Sequence, residues 1–264
     1  KKSKSWYELY SLPHKIKNFE SKETLIVGSG VGNDVAATLR NSSAKIDAVE
    51  IDPLVADLGI KFHPEKPYLN ERVKLTINDA RNFIKETKKK YDLIIYSVLD
   101  SHANLSGKGG VRLDSYVYTV ESFFEAKQKL NKDGIIFLSF AVSTKEMGIK
   151  IYKMLSQSFN SNPPLVLTRK DPNKFVDNIY VFVVSDNQLD LDLINTSFKS
   201  TNLFLPGSSI KNVDMSTDDW PFFYMSYRVY PLSYMLLISL IFIVSFVFIK
   251  KHTGINLSKF SFTS

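Results

Sequence analysis

Short apolar runs alternate with helically spaced stretches along most of the chain. Leu25, Ile26 and Val27 form a run that ends in glycine, the pattern of a strand buried on both faces of a parallel sheet. From Asp34 the spacing turns helical through Val35, Ala36, Ala37 and Leu39. A second strand is predicted over 46–51, then a helix over 54–62 with Pro53 at a favoured first-turn position. Strand 73–77, helix 80–88, strand 91–98, helix 120–130 and strand 134–140 follow. Ser143-Thr144 can cap a helix reaching about 159, and strands at 165–168 and 179–184 close the series. This alternation predicts an α/β fold, a Rossmann-like doubly wound sheet, mostly parallel and seven-stranded. Residues 1–23, with Trp6, Tyr7, Tyr10 and Phe19, are expected to form a lead-in packed on the sheet edge.

The pattern changes near the end. From 232 to 249 there is no charge, and as a helix these residues span about 27 Å, the thickness of a bilayer core. Tyr227, Tyr230 and Tyr234 would sit at one interface and Lys250-Lys251 at the other. The expected organisation is a lead-in (1–23), a catalytic-type α/β domain (24–230), a transmembrane helix (231–250) and a tail or start of a next membrane segment (251–264). The first residues, Lys-Lys-Ser-Lys without methionine, are those expected of a segment of a longer protein.

Ligands on doubly wound sheets bind beyond the carboxyl ends of the strands. Four candidate positions fall there: the glycine loop after the first strand, Glu50, Asp79, and the segment from Ser97 to His102. Gly28, Gly30 and Gly32 let the chain turn sharply and let a ligand reach the backbone. Glu50, at the end of the second strand, can accept hydrogen bonds from ribose hydroxyls. A dinucleotide loop carries glycine at its first, third and sixth positions, and here the sixth is Asn33, which disfavours NAD. The G-x-G-x-G form is that of S-adenosylmethionine-binding folds.

Composition narrows the partners. Before Pro231 the chain has 31 Lys and Arg against 27 Asp and Glu, a mild excess with no basic run interleaved with aromatics. Nucleic acid is not an expected partner. There is no cysteine, which excludes disulfides, thiol nucleophiles and cysteine zinc sites. The histidines at 14, 63, 102 and 252 show no metal spacing, and no metal is expected. No nucleophile-elbow pattern is present for Ser/His/Asp catalysis.

VGSGVGND, AVEIDP, NDARNF and YDLIIYSVLDSH, in this order, resemble the spermidine synthase branch of class I S-adenosylmethionine-dependent transferases. HPEKPY, VRLDSYVYT and TDDWPFFY resemble its membrane-bound spermidine-synthase-like relatives, over roughly residues 20–230. The resemblance implies that Gly28, Ser29, Gly30 and Gly32 line the methionine-derived part of the cofactor. Glu50 would bind the ribose, with Ile51 beside it, and Asp79 with the Ala80 backbone would hold the adenine amino group. Asp79 also suits a helix N-cap. The implied cofactor is S-adenosylmethionine or its decarboxylated form. Where the family carries D-S-S-D-P after the fourth strand, this chain places Ser97 at the first aspartate, the amine-deprotonating base, and Asp100 at the second. Val31 replaces a loop aspartate that contacts the cofactor amine, and Asp34, one helical turn away, is the candidate substitute. The family's N-terminal β-hairpin domain has no counterpart in residues 1–23.

A serine hydroxyl is a poor base unless another group activates it. Asp100 with His102 is the replacement pair that the sequence offers, since an aspartate can orient an imidazole and raise its basicity. Tyr116 and Tyr118 would form the pocket wall, with Arg112 or Asp114 as polar partners, and Asp218 or Asp219 could face it as mobile acids. Three readings stand: a membrane-anchored transferase acting on an amine acceptor, a small-molecule methyltransferase, and a cofactor-binding sensor domain. A small-molecule acceptor, the membrane through 231–250 and a homo-oligomer are the expected partners. The cytosolic cofactor places the domain on the cytoplasmic side of an inner or plasma membrane. Lys250-Lys251, against the lone Arg228 before the span, pull towards the opposite orientation.

Overall fold

A computed structural model describes residues 2–16, 18–99, 116–168, 179–187, 198–201, 213–230 and 232–253, without the side chains of 2–5 and 253. The chain forms two compact units, Lys1–Ser226 and Tyr227–Ser264.

In the first unit, β1 (Glu23–Val27) leads through α2 (Asn33–Asn41) to β2 (Lys45–Glu50), and α1 (Lys2–Ser11) precedes them. Then come α3 (Pro53–Phe62), β3 (Val73–Ile77), α4 (Ala80–Glu86), β4 (Tyr91–Tyr96), α5 (Val120–Gln128), β5 (Leu130–Ala141) and α6 (Lys145–Ser158). β6 (Leu165–Thr168), β7 (Ile179–Ser185) and β8 (Lys199–Ser200) complete the sheet. The strand order is β3-β2-β1-β4-β5-β7-β6-β8. The first five strands run parallel, and β7 pairs antiparallel with both β5 and β6. The predicted seven strands are present, and the two-residue β8 adds an eighth at the edge beside β6.

Alternation along the strands sorts their side chains into two cores. Leu25 and Val27 of β1 face a cluster with Ile84, Phe123, Phe140, Met154 and Leu155, under α4, α5 and α6. Ile26 faces the other cluster with Val35, Leu93, Ile95, Phe137 and Val181. The lead-in belongs to this second cluster. Leu9, Leu12 and Ile16 are buried there, spaced three and four apart so that one apolar face carries them, and α1 lies along α2.

One buried ion cluster ties distant segments together. Arg81, 6% exposed, donates to both Glu125 oxygens (3.0 and 3.1 Å), to both oxygens of Asp218, to Thr119 Oγ1 (3.2 Å) and to the Tyr116 carbonyl (3.2 Å). Thr119 caps α5 and donates to Asp218 Oδ1 at 3.0 Å. Asp218 is thus fixed in an ion pair with Arg81. A second buried cation, Lys150 on α6, donates to the Phe222 and Met225 carbonyls and lies 5.9 Å from the Phe223 ring centre.

The second unit contains α7 (Leu232–Thr253). Among the described residues it is the one helix long and apolar enough to cross a membrane, over Leu232–His252.

Arg81→Met leaves two carboxylates facing each other without their cation, and is expected to cost on the order of 3 kcal/mol, read from a lower urea midpoint. Asp218→Asn should cost less, because its side chain is 41% exposed. Hydrogen bonds from Arg81 hold the Asp218 carboxyl below its usual range. Its contribution is present above the unfolded carboxylate pKa of about 4 and is lost as pH falls through the lower folded value. The gap between parent and Asp218→Asn should therefore close on acidification.

Candidate functional site at the sheet switch point

β1 feeds β2 on one side, while the chain crosses back to place β4 on the other side of β1. The carboxyl ends of β1 and β4 thus flank a switch point, where doubly wound sheets open a crevice. The residues 28–34, 50–52, 78–80 and 97–99 end or follow strands at this edge.

The glycine loop is held from three sides. Gly28 and Ser29 both donate to the Val49 carbonyl at 2.9 Å. Glu50, 8% exposed, accepts from Gly30 N through Oε2 (2.7 Å) and from Asp52 N through Oε1 (3.0 Å). Tyr68, in the turn Pro67–Leu69, donates its hydroxyl to the Gly30 carbonyl (2.6 Å) and lies 2.9 Å from Ser29 Oγ. All three loop glycines have positive φ. Gly28 has φ 68°, and a Cβ there would lie 1.6 Å from Leu99 Cδ2. At Gly30, φ 57°, the space a Cβ would occupy is open, which leaves the backbone bare on the side a ligand would take.

Beside the loop, Ile51 is 47% exposed and presents apolar surface next to Glu50. Asn78 donates to the Glu50 carbonyl at 3.0 Å, which brings Asp79 to the same edge. Asp79 is the N-cap of α4: its Oδ1 accepts from Asn82 N at 2.8 Å, and Ala80 begins the helix. Asp34 stands in the first turn of α2, 8% exposed, and burial pushes its pKa up to about 6. Ser97, 6% exposed, is close enough to lower that value somewhat, yet its hydroxyl meets no hydrogen-bond geometry.

Gly28, Ser29, Gly30, Gly32, Asp34, Glu50, Ile51, Asp79, Ala80 and Ser97 therefore share one edge of the sheet. Asp100, His102, Arg112 and Asp114 lie outside the described residues. Tyr116 is 45% exposed, and its carbonyl receives Arg81. Tyr118 is fully buried, its ring packed among Phe123, Phe140 and Phe223, so it serves the core and not an open pocket wall. Tyr68 was not among the sequence candidates. Its signal was the two-proline loop ending in Tyr68, which fixes where a tyrosine can reach back to the glycines.

The residues present fit an adenosyl cofactor: a bare glycine backbone, an acid held at the end of β2, an apolar surface beside it, and a buried Ser97 hydroxyl with no partner. The model of the spermine/spermidine synthase domain matches residues 9–192. The chain belongs to the spermine/spermidine synthase family. Over 160 residues it is 29% identical to polyamine aminopropyltransferase 2 of Aquifex aeolicus (strain VF5), covering 58% of this chain and 30% of that relative. Over 144 residues it is 32% identical to polyamine aminopropyltransferase of Buchnera aphidicola subsp. Acyrthosiphon pisum (strain Tuc7), covering 52% of this chain and 47% of the relative. The chain thus spans less than half the length of these two relatives. Among solved structures it resembles a spermidine synthase in complex with the transition state analogue AdoDATO, with a TM-score of 0.56 at 18% identity over 85% of this chain and 72% of that one. It also resembles human methyltransferase-like protein 13 in complex with SAH, with a TM-score of 0.51 at 20% identity over 71% of this chain and 83% of that one. At such identities the likeness carries the fold alone, the class I methyltransferase type.

Tyr68→Phe removes the hydroxyl that holds Gly30 and should cost about 1 kcal/mol, measured by thermal unfolding. Glu50→Ala should speed amide exchange at Gly30 and Asp52 while leaving Val27, within the sheet, protected. Equal protection in both proteins would show that the carboxylate does not hold the loop.

Proposed function

We propose that this chain is a membrane-anchored transferase of the spermidine synthase type. It binds decarboxylated S-adenosylmethionine or S-adenosylmethionine and passes an aminopropyl or related group to an amine acceptor. The observation that carries this reading is the glycine loop fastened to Glu50 at the switch point of a chain belonging to the spermine/spermidine synthase family. In this reading Gly28, Ser29, Gly30 and Gly32 take the methionine-derived part, Glu50 the ribose, Ile51 and Asp79-Ala80 the adenine. When bound, the cofactor supplies a carbon activated by a sulfonium. The protein's work is to fix that carbon, exclude water and take a proton from the acceptor amine. Ser97 stands where the family's base would be, Asp100 with His102 is the replacement that the sequence offers, and Arg112, Asp114 and Tyr116 are assigned to the acceptor. Residues 24–230 form the cytoplasmic transferase domain, 1–23 a lead-in, 231–250 the anchor in an inner or plasma membrane, and 251–264 a tail. The protein acts as a homo-oligomer.

The serine at the base position favours a second reading, a methyltransferase or a sensor that binds cofactor without aminopropyl transfer. Calorimetry with S-adenosylmethionine, its decarboxylated form and NAD separates these. Preference for the decarboxylated form is expected, with no NAD binding. Glu50→Ala should weaken binding by about 1–3 kcal/mol, the scale of a lost charge-assisted hydrogen bond. Tight NAD binding without response to either adenosyl compound would sink the proposal. For the anchor, the full chain should remain with membranes after alkaline carbonate washing, and its appearance in the soluble fraction would refute that part.

A further inference from the structure

Helix α3 is built the wrong way round for a helix at a protein surface. Such a helix turns its large apolar residues to the core and its polar ones to water. In α3 the fully buried residues are small, Ala56 and Gly59. Gly59 admits nothing larger: a Cβ there would lie 2.5 Å from the Val31 carbonyl oxygen in the glycine loop and 2.8 Å from Tyr68 Cε2. The outer side carries Leu54, Leu58 and Phe62, spaced four apart and therefore in one row. Leu54 and Phe62, each 73% exposed, and Leu69, 67% exposed in the turn packed against α3, are the most exposed large apolar side chains described in the first unit. Single exposed leucines are ordinary, whereas a contiguous row marks a contact surface. The sheet is open on the same flank. β3 is its outermost strand, pairs with β2 alone, and has no buried residue.

We propose that the row Leu54, Leu58 and Phe62 is the centre of a two-fold interface between two copies of the chain. This rests on the homo-oligomer part of the reading above and gives it a face. Charge selects the occupant. Along α3 and the loop after it, Asp57 pairs with Lys61 at 2.6 Å, Glu65 pairs with Arg40, and Lys66 is turned onto the Ile60 and Lys61 carbonyls. The surface thus has no net sign to offer an anionic lipid face or a nucleic acid. It is self-complementary instead. Antiparallel packing about Leu58 sets Leu54 against the partner's Phe62, Leu58 against the partner's Leu58, and Asp57 beside the partner's Lys61. Area agrees. The row and Leu69 expose several hundred Å² of apolar surface, the upper end of what a monomer leaves bare. With the polar rim of α3 and β3 this approaches the roughly 800 Å² that each partner of a standard interface buries. Gly59 seats α3 on the glycine loop, so a partner on the outer side braces that loop without entering the crevice.

The chain has no cysteine, so a single introduced one reports proximity without background. In the full chain in detergent, oxidised with diamide, Leu58→Cys should form a disulfide-linked dimer, because the residue meets its own copy at the axis. Phe124→Cys, on α5 and equally exposed at 49%, should stay uncross-linked. Sedimentation of the full chain should give a dimer. Leu58→Glu combined with Phe62→Glu should weaken it by roughly 100-fold, since like charges then face each other across the axis. Both positions are exposed, and the double variant should keep the amide protection of Val27 within the sheet. A dimer unchanged in the double variant, or one that cross-links as well through Phe124→Cys as through Leu58→Cys, overturns this face and keeps a homo-oligomer held by another contact. A full chain that sediments as a monomer overturns both.

Discussion

Where five parallel strands end at one edge, the backbone N–H groups of the following loops need acceptors, and the site is built from the way they find them. Glu50 satisfies two such donors, on Gly30 and Asp52, with its two oxygens. It thereby couples the loop after β1 to the turn after β2. Each carboxylate oxygen has a second lone pair, so holding the loop does not exhaust it for ribose hydroxyls. The same economy appears at Asp79, which caps α4 through one oxygen and keeps the other. The two acids at this edge are thus structural residues with spare hydrogen-bonding capacity. Their removal is expected to disturb loop and ligand together.

The elements legible in the sequence were those with a local cause. The glycine run, the acid at the end of β2 and the apolar strand cores follow from periodicity and turn chemistry, and they fall where expected. Pro53 opens α3 and Asp79 caps α4 for reasons visible within four residues. What could not be read were long-range partners. Arg81 looks like an ordinary surface residue of a short helix, and its bonds to Asp218, 137 positions away, depend on a segment that returns after β7. Lys150 sits in an otherwise apolar stretch of α6, and the Phe222 and Met225 carbonyls that accept from it come from a segment more than seventy positions on. Tyr118 reads as a pocket aromatic because it follows a polar loop, yet the neighbouring Phe140 and Phe223 claim its ring.

The two buried ion systems differ in kind. Arg81 has its full complement of acceptors, with both carboxylates meeting its guanidinium edge to edge, and such a cluster fixes geometry more than it adds stability. It joins α4, which starts with Ala80 after its N-cap Asp79 at the switch-point edge, to α5 and to the segment around Asp218. Disturbing that cluster would move Asp79 and Ala80 without touching any ligand. Asp34 is the opposite case, an acid that the described fold buries and leaves without a cation. A structural acid would have been paired, as Asp47 is with Lys89 and Tyr91.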